Sequence, residues 1–119
     1  MKKLSKNFLF LFFCMHFACF AQELPSKNIR AQKVGLDNSA TCWVASVWAQ
    51  GLFIGKPNLK DNFDMAKDLT DIYNGYGVLL VGQESFNNVV KSKTAVWKTM
   101  TLDDQTPIWK QCTTLWQAK

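Results

Sequence analysis

The chain has 119 residues, 14 basic against 9 acidic side chains, a single histidine and four cysteines. The net charge of +5 is partly a property of the first 21 residues; without Lys2, Lys3 and Lys6 the balance is 11 to 9, too even to mark a nucleic-acid binder. With His16 inside that leader, the rest of the chain holds no histidine, which excludes Ser-His-Asp, Cys-His and histidine-metal chemistry from it.

Residues 1–21 read as a secretory signal peptide, with a basic start, an apolar run over Phe8–Phe20 and small-residue cleavage after Ala21. An uncleaved anchor is the alternative, but a helix over that run rises only about 20 Å, short of a bilayer core. Cleavage before a lipid-modified Cys19 is a third option, and His16-Phe17 fits its motif poorly. Export implies a periplasmic location and leaves a chain from Gln22 to Lys119, enough for one small domain with one core. Stable membrane insertion is not expected after cleavage.

Cleavage also removes Cys14 and Cys19 and leaves Cys42 and Cys112. In an oxidising compartment an even count suggests a disulfide, here closing a loop of 70 residues. Two buried free thiols are the alternative, while two cysteines without histidine make a poor zinc site. No C-x-x-C pair, phosphate loop or H-E-x-x-H motif is present, and the chain has only two glutamates, Glu23 and Glu84. Carboxylate acid–base catalysis stays formally open; the expectation is a protein that is not an enzyme and carries no metal or other cofactor.

Residues 22–38 carry Lys27, Arg30 and Lys33 without sustained periodicity and read as a flexible arm, with contact to an anionic surface as the alternative. The helical domain is expected over 39–119. Its centre is Ser39–Gly55, apolar almost all round, with Ser39 as N-cap, Gly55 as terminator and Ser46 and Gln50 as a polar wedge. Cys42, Ala45 and Ala49 make a smooth strip on one face, and Trp43 borders the wedge and is expected to be partly exposed.

A second helix is expected over 59–74, stopped by Asn74-Gly75, with Phe63, Ala66, Leu69, Ile72 and Tyr73 inward. Asp61, Asp64, Asp68 and Asp71 line its other side. A solvated face is the plain reading of that row, and a surface for a basic partner the sharper one. Calcium is disfavoured because the loop ligands of an EF-hand are missing. Tyr76–Gly82 reads as a helical turn or buried connector, and the two glycines before it also allow an exposed loop around Tyr73, Asn74 and Tyr76. Glu84–Met100 forms a third helix. The last helix, within 103–118, takes Thr106 as N-cap and Pro107 as its first residue. Ile108, Trp109, Cys112, Leu115 and Trp116 form its apolar stripe, and Cys112 faces the Cys42 strip. The expected fold is all-α, a four-helix bundle stapled by one disulfide. Most of the five tryptophans are assigned to its core.

An early cysteine in A-T-C-W-V-A, a late one in C-T-T-L-W and an export signal ahead of both resemble, as a layout over Ser39–Trp116, the small periplasmic immunity proteins that protect bacteria from type VI secretion effectors, particularly the amidase immunity group. The resemblance implies binding of a secreted toxin, a cell-wall hydrolase, by occlusion of its active site. No inhibitory residue of that group maps onto this chain beyond the cysteine pair. The candidate contact residues, from loop chemistry and charge, are Asp61, Asp64, Asp68, Asp71, Tyr73, Asn74 and Tyr76, and the layout leaves room for a homodimer. Two other classes fit the same features: a periplasmic stress chaperone, which would expose apolar surface below about pH 4, and a structural envelope-associated binding protein.

Overall fold

The computed structural model describes residues 26–118; the proposed signal peptide, with Cys14, His16 and Cys19, lies outside them. The described residues form five α-helices and no strand: α1 (Lys27–Val34), α2 (Leu36–Phe53), α3 (Lys60–Val81), α4 (Gln83–Trp97) and α5 (Leu102–Leu115), with a 3-10 turn over Pro57–Leu59 leading into α3. The fold is all-α and stapled by Cys42–Cys112, whose Cα atoms are 5.4 Å apart. None of the described helices is long and apolar enough to cross a membrane.

The apolar α2 is central, touching each of the other four helices. Cys42, Ala45 and Ala49 are almost fully buried, as are Trp109 and Cys112 of the α5 stripe. The polar wedge of α2 is absorbed by one residue of α3. Gln50 Nε2 donates to Thr70 Oγ1 at 2.7 Å, Thr70 lies 2.8 Å from Ser46 Oγ, and Ser46 donates to the Trp43 carbonyl at 2.8 Å. Each hydroxyl in this chain can donate once and accept once, so the wedge enters the interface satisfied.

The fifth helix arises where a flexible arm was expected. Lys27–Val34 is helical because Ser26 caps it, accepting from the Ile29 amide at 3.3 Å, and because Ala31 and Val34 are buried in the core. Gly35 then ends α1 and starts α2 with φ 83° and ψ 162°, and Gly82 joins α3 to α4 with φ 85° and ψ 161°. Side chains are excluded from that backbone region, so each glycine turns the chain between two helices in a single residue.

Three expected boundaries are corrected. Ser39 does not cap α2, which begins at Leu36; the serine is fully buried and its hydroxyl has no partner among the described residues. The last helix begins at Leu102, where Thr101 accepts from the Asp104 amide at 3.3 Å, so Thr106 and Pro107 lie inside it. Asn74-Gly75 does not stop the second helix, which runs on to Val81 through the apolar run after it. The reason is packing: a Cβ on Gly77 would stand 2.1 Å from the ring of the fully buried Phe86. Glycine there serves the close approach of α4, not flexibility.

Candidate functional site

The helical repeat of α3 puts its apolar residues inward and Asp61, Asp64, Asp68 and Asp71 outward, and all four carboxylates are exposed. They run along one side of the helix for about 15 Å. Among the described residues none of the four is ion-paired; the one ion pair found joins Lys93 of α4 to Asp37 of α2. Lys67 lies one turn from both Asp64 and Asp71 and offsets part of their charge.

The expected loop around Tyr73, Asn74 and Tyr76 is a continuous stretch of α3, and both tyrosines are core residues. Tyr73 is fully buried and donates its hydroxyl to the Cys112 carbonyl. Tyr76, 1% exposed, donates to the Trp116 carbonyl at 2.7 Å. The two rings meet edge to face, with centroids 6.1 Å apart. Burial pushes both phenols above their ordinary value, and for Tyr76 the nearby Arg30 cation offsets part of that rise. Asn74 is half-buried and exchanges amide hydrogen bonds with Gln83 at 3.2 and 3.4 Å, bracing the α3–α4 corner.

At its far end the acidic row opens into a groove of about 290 Å³, lined by Lys27, Arg30, Asp71, Ile72, Tyr76 and Trp116. The structure thus brings Asp71 and the edge of Tyr76 together, leaves Tyr73 beneath the surface, and adds four residues that sequence reasoning did not assign to a site, Lys27, Arg30, Ile72 and Trp116. Lys27 and Arg30 arrive on adjacent turns of α1. Arg30 lies over the Tyr76 ring at 6.0 Å, a cation–π contact, and its buried Nε has no partner among the described residues. The Lys27 ammonium sits over Gly75, 2.8 Å from where a Cβ would stand. The i, i+3 spacing of Lys27 and Arg30 was the available signal, hidden by the absence of a longer apolar repeat around it. The surface therefore presents a solvated acidic row ending in a mixed-charge groove with one aromatic wall.

No group of three or more histidine, cysteine, aspartate or glutamate side chains among the described residues is placed to hold a metal ion. The disulfide occupies both cysteines among the described residues, so neither is a thiol nucleophile. No family model, curated protein or solved structure matches this chain.

Proposed function

We propose that this chain is an exported binding protein of the immunity type, which neutralises a secreted cell-wall hydrolase by covering its active site. The observation that carries the reading is the exposed row of Asp61, Asp64, Asp68 and Asp71, unpaired among the described residues and ending in the groove walled by Ile72 and Trp116. Exposed carboxylates steer a basic partner and fix its register, while a half-buried tryptophan at the end of the row supplies the kind of anchor that dominates binding energy. The leader supports the periplasm as the place of action, and a disulfide-stapled helical scaffold suits a protein that works by shape. Tyr73 has no direct part in this reading; it holds the helix that presents the row.

The test is capture of partners by the tagged protein from the periplasm, followed by protection of cells against the captured hydrolase. The expected result is one stoichiometric partner with a hydrolase domain, lost when Asp61, Asp64, Asp68 and Asp71 are all changed to Lys. Undiminished protection by that variant would remove the acidic row from the site. Capture of many weak clients, increasing at low pH, would replace the reading with a chaperone.

A further inference from the structure

A stripe of α2 points away from the core although the helix is apolar almost all round. Trp43, Val47 and Gly51 recur at the spacing of one helix face, and Ile54, the residue that caps the helix, continues the row. Val47 is 41% exposed, Ile54 is 63% exposed, and open space stands where Gly51 would carry a Cβ. No charged side chain occurs from Asn38 to Gly55. Beside the stripe, between α2 and α4, lies a groove of about 290 Å³ lined by Trp43, Val44, Val47, Trp48, Thr94, Trp97 and Lys98. Trp48 and Trp97 meet edge to face at 5.4 Å and form its floor and wall.

We infer that this face is the interface of a homodimer, formed by two copies of α2 packed antiparallel about a two-fold axis beside Trp48 and Ala49. Knob and hole lie on the same stripe. An axis there sets Ile54 of each copy against Trp43 of the other, at the mouth of the groove, and sets Val47 against Gly51, where the missing side chain admits close approach of the backbones. This is the self-complementarity that a two-fold interface requires.

Charge selects a second copy over other occupants. A stripe without charge takes a mate that is itself without charge, and the central stretch of α2 is such a stripe, Lys98 being the one cation that lines the groove beside it. Its two ends differ in sign, with Asp37 at the start and Lys56 and Lys60 just beyond the end. Asp37 remains largely exposed despite its pairing with Lys93, its side chain being 77% accessible. Antiparallel packing brings the acidic end of each copy to the basic end of the other and opposes the two helix dipoles, whereas parallel packing sets like against like. The inference is independent of the partner proposed above, which uses the aspartate row of α3 and the groove at its end beside Trp116.

The experiment is sedimentation equilibrium of the purified protein from about 10 μM to 1 mM, a range that spans weak self-association. The expected result is a mass that climbs to twice that of the chain. Ile54→Lys should hold the mass at one chain throughout with an unchanged helical circular dichroism spectrum, and Val47→Asp should do the same. Leu102→Lys, at a residue 61% exposed on α5 and off the stripe, should leave the doubling intact. A wild-type protein monomeric over the whole range, a dimer that survives both stripe variants, or an equal effect of Leu102→Lys would each overturn the inference.

Discussion

Tyr73 of α3 donates its phenolic hydrogen bond to the carbonyl of Cys112 on α5, the residue whose sulfur is bonded to Cys42 on α2. One position of α5 therefore joins two further helices, once through a covalent bond and once through a buried hydrogen bond. Tyr73→Phe keeps the ring and removes the donor, and should cost about 1–2 kcal/mol in denaturant unfolding, because the carbonyl is left unpaired in the core.

The same burial gives a pH dependence. The Tyr73 phenol ionises less readily in the folded chain than at its ordinary value of 10.0. Its contribution is complete below that value and is lost as pH rises above it, because only the unfolded chain then gains from ionisation. Stability should fall more steeply above pH 10 in the wild type than in Tyr73→Phe, measured by urea midpoints across an alkaline series.

Reduction of Cys42–Cys112 reopens a loop of 70 residues in the unfolded chain. Replacing both cysteines by alanine should lower stability by about 4 kcal/mol, read as a fall in denaturant midpoint with a steeper slope, because the opened unfolded chain exposes more surface. Both cysteines are almost fully buried, so reductant should act on the native protein only as fast as it opens.

Two glycines in helices should respond in opposite ways to alanine. At Gly77 the new methyl would collide with the Phe86 ring, and the expected cost is about 1–3 kcal/mol even though alanine favours a helix. At Gly51 the space is open, and in dilute protein the same change should stabilise by about 0.5–1 kcal/mol. Thermal unfolding of the pair checks both signs.

Two hydroxyls, one half-buried and one fully buried, make a second contrast. Thr70 carries the links to Gln50 and Ser46, so Thr70→Val should cost about 1–3 kcal/mol by removing the acceptor of Gln50 and the donor to Ser46, which keeps its bond to the Trp43 carbonyl. Ser39 has no partner among the described residues, and Ser39→Ala should be neutral or stabilising by up to about 1 kcal/mol. Chemical denaturation separates the two.

The centre of the fold was legible because composition alone marks it: α2 has no charge beyond Asp37, and cysteines in the middle of two apolar stripes have few other ways to pack. The extent of α3 was not, because Gly75 and Gly77 carry two meanings. Glycine admits a flexible turn or a close neighbour, and only the arrival of Phe86 and Lys27 decides between them. The start of α5 was ambiguous for a similar reason, since Thr101 and Thr106 both have capping side chains. α1 was hidden because its burial rests on just two residues, Ala31 and Val34, set among charges. The exposed aspartates follow from helical period. The groove at their end does not, because α1, α3 and α5 each contribute to it from distant parts of the chain.

The bond between Cys42 and Cys112 closes a ring that encloses α3, α4 and most of α2 and α5. Among the described helices α1 alone lies wholly outside it, attached through the single residue Gly35. Its docking depends on Ala31, Val34 and the Arg30–Tyr76 contact rather than on the ring. Oxidation therefore divides the molecule into a covalently closed body and one hinged flap, and that flap carries the two cations of the groove.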